Sequence, residues 1–196
     1  MFRYTGLIVL LLLAVTNLPA FCDGPPEAAS GPTFVPAIRS EELRPHVQYM
    51  ASPELEGRGS DPSKLLARRY IVQQWKKIGL QPLFAESPAN NGDSKQTPEA
   101  AEQAKFEQAI PGAAAADGHA TIMGYNVGAW LPGSDPKLAD EFIIISAHYD
   151  HLGIRNGYVY PGADDNASGV AMLIEAARQL ASEKVAPAPQ CCFYCI

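Results

Sequence analysis

The chain has no excess of basic residues: 15 Lys and Arg stand against 21 Asp and Glu, a net charge of −6 over 196 residues. With no basic stripe along any segment, the electrostatic footprint of a nucleic-acid partner is missing, so none is expected. No internal repeat is found. Cysteine is scarce and poorly placed for a covalent framework, because Cys22 falls in the N-terminal segment and Cys191 and Cys192 are adjacent. Without a second Cys or His pair at ligand spacing, Cys191, Cys192 and Cys195 do not read as a metal cluster either. Long apolar runs are also absent, since the one candidate, Leu7 to Val15, is too short to span a bilayer. What remains, 47% hydrophobic and 18% charged, is the composition of one globular domain.

Arg3, the apolar run and the small-x-small site Ala20-Phe21-Cys22 together read as a signal peptide over residues 1–22, with cleavage after Ala20 as an alternative. The mature protein is therefore expected outside the cytoplasm, periplasmic or extracellular, with no integral membrane span. Leu18 to Cys22 resembles a lipoprotein signal, but Phe21 before the cysteine fits that pattern badly and a lipid anchor at Cys22 is not expected. Residues 23–39, with Pro25, Pro26, Pro32 and Pro36, read as a disordered leader. The globular part, residues 40–196, begins at Ser40.

Ser40 is the expected N-cap of a short helix that turns Leu43, Val47 and Met50 to one side, with Pro45 limiting its first turns. Asp61 is the expected cap of the next, with Pro62 at its first position, a buried stripe of Ala67, Ile71, Trp75 and Ile78, and Gly79 closing it. Residues 86–118 turn to Ala, Gln, Pro, Asn and Gly and read as a flexible insertion, helical at most from Glu99 to Gln108. Tyr125, Val127, Ala129 and Leu131 alternate as a half-buried strand does. Phe142 to Ala147 is a continuous, β-branched run, the pattern of a strand covered on both faces, and Pro132 to Asp135 would make the two strands hairpin neighbours.

Chemistry concentrates just beyond that strand. His148 and Asp150 leave its end on the same side, because side chains of extended chain repeat every two residues. Asp150 is placed to accept the second N–H of His148 and so orient it. Gly162 and Gly169 then bracket Asp164-Asp165-Asn166, a tight turn feeding a helix with Ser168 as N-cap and Val170, Leu173, Ile174, Ala177 and Leu180 at helical spacing. Adjacent carboxylates repel unless a cation lies nearby, and imidazole plus carboxylate is the donor set of Zn2+. Taken singly, each cluster also fits a polar loop or an ordinary acidic first turn.

The order of these segments is specific. Leu55-Glu-Gly-Arg-Gly59, Lys76-Lys-Ile-Gly-Leu-Gln-Pro82, Gly124 to Gly133, Ser146 to Gly153 and Pro161 to Val170, followed by an Ala171 to Leu180 helix, resemble the first half of the secreted zinc aminopeptidases. That family takes in bacterial leucyl aminopeptidases and, more distantly, glutamate carboxypeptidase II. The resemblance covers roughly Ser40 to Lys184, weakly between Glu86 and His119.

It implies a three-layer α/β/α sandwich around a mixed sheet, two zinc ions per site, and a peptide substrate that loses its N-terminal residue to water. It makes His148 a ligand of one zinc, Asp150 its orienter and Asp165 the bridging carboxylate, with a cis Asp165–Asn166 bond. His151 falls where relatives vary and is read as a loop residue or substrate-side neighbour rather than a ligand. The family's general-base Glu and further Glu, Asp and His ligands have no counterpart here: after Asp165 the only carboxylates are Glu175 and Glu183, and no histidine follows His151. Cys191 to Ile196, apolar enough for a strand but unlike the rest in composition, suggests a truncated or frameshifted frame. The expectation is a metallo-aminopeptidase fold carrying part of its site and inactive as it stands. The alternatives are a non-catalytic secreted fragment or binding module, and the one-zinc chemistry of glutaminyl cyclases. Oligomeric state is not legible.

Overall fold

A computed structural model describes residues 38–84, 97–114, 120–183 and 187–196. The signal peptide and nearly all of the leader lie outside the described residues, as do 85–96 and 115–119 of the segment read as an insertion.

Helix α1 (Ser40–Met50) starts at Ser40, its expected cap. Arg39 is the N-cap instead, and its amide donates to the Glu42 carboxylate at 2.9 Å. Helix α2 (Asp61–Ile78) is capped by Ser60 rather than Asp61: Ser60 Oγ accepts from the Ser63 amide at 3.4 Å, and Asp61 is the first helical residue. Gly79 closes α2 in the left-handed conformation, φ 90°. Ala67, Ile71 and Trp75 are fully buried, as the stripe predicts. Between the helices a 3-10 turn spans Pro53–Arg58.

The main sheet has five strands: β1 (Gln81–Pro82), β2 (Glu107–Ala114), β3 (Ala120–Leu131), β4 (Phe142–Ala147) and β7 (Gln190–Cys195). Strands β1 and β2 both pair antiparallel with β3. On the other side of β3 lies β7, antiparallel to β3 and parallel to β4. The sheet is therefore mixed, and β3 and β4 are not the hairpin neighbours expected from the turn between them. A short ribbon of β5 (Gly153–Arg155) and β6 (Tyr158–Tyr160) stands apart from this sheet.

The C-terminal residues, apolar enough for a strand, do form one, and β7 lies between β3 and β4. Phe193 and Cys195 are fully buried and Cys191 is nearly so; facing Ala129, Val127 and Leu131 in register, they form the sheet's contribution to the core. Helices α1, α2 and α4 (Ser168–Ser182) supply the rest of that core, with Met50, Trp75, Val170, Leu173 and Ile174. Fully buried on that face, Phe193 and Val127 contribute ~1.5–3 kcal/mol each, which outweighs the weak strand preference of the Ala and Gly residues of β3.

Strand β4 is not covered on both faces. Its partner among the described strands is β7 alone, and Phe142, Ile143 and Ile144 are 53%, 49% and 69% exposed. Alternation puts Ile145 and Ala147 toward the helices and Phe142 and Ile144 on the opposite face. Within the segment read as a flexible insertion, α3 (Pro98–Ala104) and β2 are regular. The β2–β3 hairpin docks on α2 through Arg68, whose Nε donates to Glu107 at 2.9 Å while its guanidinium lies 4.2 Å over the Tyr125 ring. Pairing with a long neighbouring strand overrode a composition that favours disorder.

Among the described residues no helix is long and apolar enough to cross a membrane.

Candidate metal centre

The site lies at the carboxyl end of β4, the edge at which open α/β sheets bind ligands. The parallel pairing with β7 continues past both strands, as Ile196 N donates to Ala147 O at 3.1 Å and Tyr149 N to Ile196 O at 3.0 Å. This holds residues 147–149 extended. Tyr149 turns into the core at 2% exposure and its hydroxyl donates to Tyr125 O at 2.8 Å. His148 and Asp150 thereby turn outward together, and both are exposed. Burial, the largest effect on Tyr149, pushes its phenol pKa upward, so it remains a neutral donor.

The second segment is the π-type turn Ala163–Ala167, entered through Gly162 at φ 59° and containing a cis Asp165–Asn166 bond. A Cβ on Gly162 would sit 2.6 Å from the His151 ring, so the site tolerates only glycine there. Asn166 ends the turn: its Oδ1 accepts from the Gly169 amide at 3.1 Å. That is the capping function expected of Ser168, whose Oγ instead donates back to Asp164 O at 2.8 Å. Asparagine is as good a cap as serine, and the turn leaves Ser168 already helical.

The two segments meet at these side chains. His148 Nε2 lies 3.0 Å from Asp165 Oδ1, and His148 Nδ1 lies 3.4 Å from the Asp150 carboxylate and 3.2 Å from its carbonyl. Two donors at zinc bond lengths and a tetrahedral angle stand about 3.3 Å apart, so the first pair is at the separation one ion requires. A neutral imidazole has a single N–H. With acceptors at both ring nitrogens, a neutral ring can donate to only one of them, and the other contact is then open to a cation between its atoms.

His151, read as a loop residue or substrate-side neighbour, lies against Asp165. It is largely buried, and its Nδ1 lies 3.5 Å from Asp165 Oδ2, so imidazoles flank both carboxylate oxygens. Asp164 is exposed and points to no partner among these groups. The donors present fit a zinc ion but do not complete its coordination: among the described residues no group of three or more His, Cys, Asp and Glu side chains is disposed to hold a metal.

Sequence reasoning missed Arg58 altogether. The residue is fully buried, with no carboxylate hydrogen-bonded to it. Nε donates to Tyr149 O at 2.7 Å, Nη1 to Met50 O and to Pro161 O at 2.7 Å, and Nη2 to Gly162 O at 2.9 Å and, weakly, Asp165 O at 3.5 Å. Burial lowers its pKa from the ordinary value, against the nearby charges of Asp150 and Asp165. Its position in Leu55-Glu-Gly-Arg-Gly59, flanked by two glycines, was the available signal. Gly57 and Gly59 let that turn lie against the β5–β6 ribbon, since a Cβ on either would fall 2.2 Å from Tyr160 O or 2.5 Å from Gly153 Cα.

Comparison with known proteins bears on the fold. Residues 126–195 match the sequence model of Peptidase family M28, a span that includes both site segments and β7. A leucine aminopeptidase precursor from Bacteroides thetaiotaomicron has a similar fold at TM-score 0.52 and 17% identity, over 83% of this chain and 48% of that one. A Zn-dependent exopeptidase from Parabacteroides distasonis gives 0.51 and 18%, over 82% and 47%, and a Bacteroides thetaiotaomicron glutaminyl cyclase 0.51 and 17%, over 83% and 48%. At these identities the likeness is one of fold. The chain spans a third to a half of the length of the solved structures it matches. None of the curated proteins compared with it matches. The chain thus resembles the zinc aminopeptidases in fold, and over residues 126–195 in sequence.

Proposed function

We propose that His148 and Asp165 are zinc ligands of a metallo-exopeptidase that removes N-terminal residues from peptides, and that Asp150 orients His148. The observation that carries this reading is the 3.0 Å approach of His148 Nε2 to Asp165 Oδ1 with Asp150 behind the ring, at the end of a strand within the M28-like span. Zinc held there would supply Lewis acidity to a substrate carbonyl and to water. Asp165 has a second oxygen turned away from His148, as a carboxylate shared by two ions requires. His151 restrains that oxygen from the buried side.

Neither later carboxylate is placed to act as general base. Glu175 is buried between His46 and Arg178, 3.0 Å from His46 Nε2, and Glu183 accepts from Gln179 at 2.8 Å beyond the helix end. A positioned base contributes ~10²–10⁴-fold, so these 196 residues by themselves are expected to bind zinc loosely and not to hydrolyse peptides. The N-terminal signal sequence supports export.

The test is a Zn2+ titration of the chain, read from the histidine ring resonances, beside aminoacyl-anilide hydrolysis with a complete relative as control. His148→Ala should abolish the saturable shift. Zinc-dependent turnover by the chain alone would overturn the claim of an incomplete site. The fold likeness to glutaminyl cyclases supports a second reading, for which cyclisation of an N-terminal glutaminyl peptide is the discriminating assay.

A further inference from the structure

We propose that Arg58 is the positioning residue of this centre: its guanidinium joins the His148-bearing and Asp165-bearing segments and thereby sets the distance between the two ligands. The proposal rests on the reading of His148 and Asp165 as metal ligands, and it concerns a residue that touches neither their ligating atoms nor a substrate.

The segments that carry the ligands share no strand pairing. Tyr149 follows β4, and Pro161 and Gly162 lead into the π-type turn that holds Asp165. Their carbonyls are gathered by one side chain, at 2.7 Å to Tyr149 O, 2.7 Å to Pro161 O and 2.9 Å to Gly162 O. A third element joins them, since Nη1 also donates to Met50 O at the end of α1. Arg58's own carbonyl accepts from the His151 amide at 3.2 Å, so the residue grips the His148–His151 segment from two sides.

Two chemical features suit Arg58 to this task. Guanidinium has five N–H donors in a rigid plane and keeps its charge when buried, whereas lysine offers three donors around a single point. All five are directed at main-chain carbonyls and none at a carboxylate. Asp150 and Asp165 therefore keep their oxygens for the site while still lying near enough to compensate a buried cation. A carboxylate partner would have neutralised Arg58 more simply, but by occupying a ligand.

The backbone is committed to this placement. Glu56, Gly57 and Arg58 run consecutively through the left-handed region, at φ 44°, 68° and 52°. For two non-glycine residues that is uncommon, and here it aims the Arg58 side chain inward beneath the ligand loops.

The test compares the chain with Arg58→Lys, which keeps the charge but not the fork, and Arg58→Ala with and without added guanidinium chloride at non-denaturing concentration. Two measurements are made: amide hydrogen exchange on the metal-free protein, and affinity for Zn2+ alone. If the proposal holds, Arg58→Lys stays folded, the amides of His151 and Ala167 exchange at least ~10-fold faster while that of Phe193 is unchanged, and Zn2+ binding weakens ~10–100-fold, as for loss of other supporting contacts. Guanidinium restores part of both in Arg58→Ala. Unchanged local exchange and zinc affinity in Arg58→Lys would overturn the proposal, and so would global unfolding of that variant, which would make Arg58 a residue of the fold at large. If the unaltered chain shows no His148-dependent zinc binding, the metal reading fails separately, and exchange alone then decides whether Arg58 holds the two segments.

Discussion

Replacing Phe193 by alanine tests the least expected feature of the fold, a Cys-rich terminal segment that serves as the sheet's central strand. Phe193 is fully buried, faces Ala129 on β3 and Ile145 on β4, and lies in one cluster with Trp75, Leu173 and Ile174. Both of its in-register neighbours are fixed by backbone pairing, so the sheet cannot close over the lost ring. Phe→Ala at such a site costs ~3–5 kcal/mol, from lost transfer energy together with the cavity left behind. Against a total stability of about 5–15 kcal/mol, that is a large fraction. For a domain of this size it corresponds to a fall in Tm of roughly 6–20 °C. Urea unfolding followed by circular dichroism measures it, with Ile144→Thr as the control. Ile144 is 69% exposed on the neighbouring strand, and its replacement should change stability by no more than about 0.5 kcal/mol. If Phe193→Ala cost less than about 1 kcal/mol, the segment would not occupy the core, and the strand order β3-β7-β4 would have to be abandoned.

Other outcomes follow from the same geometry. Asp150→Asn should weaken Zn2+ binding by roughly 10–100-fold without abolishing it, because the ring of His148 loses its orienting carboxylate but not its ligating nitrogen; calorimetric titration distinguishes that from the total loss expected of His148→Ala. Gly57→Ala should destabilise by ~1–3 kcal/mol, since the residue is left-handed and the added Cβ would meet Tyr160 O at 2.2 Å; an unchanged Tm would refute that close approach. Glu175 gives a pH dependence. Burial opposes its charge, but hydrogen bonds and charges from Arg178 and His46 outweigh this and hold its pKa below the ordinary glutamate value of 4.5. A depressed folded pKa contributes stability that is present above the unfolded value and lost as pH falls through the folded one. Tm should therefore decline below about pH 4.5 more steeply in the unaltered chain than in Glu175→Gln. Ile144→Lys, on the open face of an edge strand, should reduce self-association in light scattering while leaving Tm nearly unchanged.

The composition and short-range patterns of the chain determined a good deal alone. The 3.6-residue spacing of Ala67, Ile71 and Trp75 defined α2, the alternation from Tyr125 to Leu131 defined the inner part of β3, and the order of His148, Asp150 and Asp165 along strand, turn and helix marked the candidate site. These features are local: a helix stripe, a strand face and a strand end each follow from the residues within a few positions. Caps were off by one or two residues because neighbouring Ser, Asn and Glu side chains compete for the same free amides, and only the backbone path decides among them. The tertiary structure alone decided the partnership of strands, since continuous apolar character in β4 says that a strand is sticky and not which strand lies beside it. It likewise decided that β2 is ordered by pairing with β3, and that Cys191 to Cys195 belongs at the centre of the sheet. Arg58 shows the same limit at the site. A lone arginine between glycines reads as a solvated charge until five carbonyls from three separate segments are seen to converge on it, and that convergence is a property of the folded chain that no local spacing encodes.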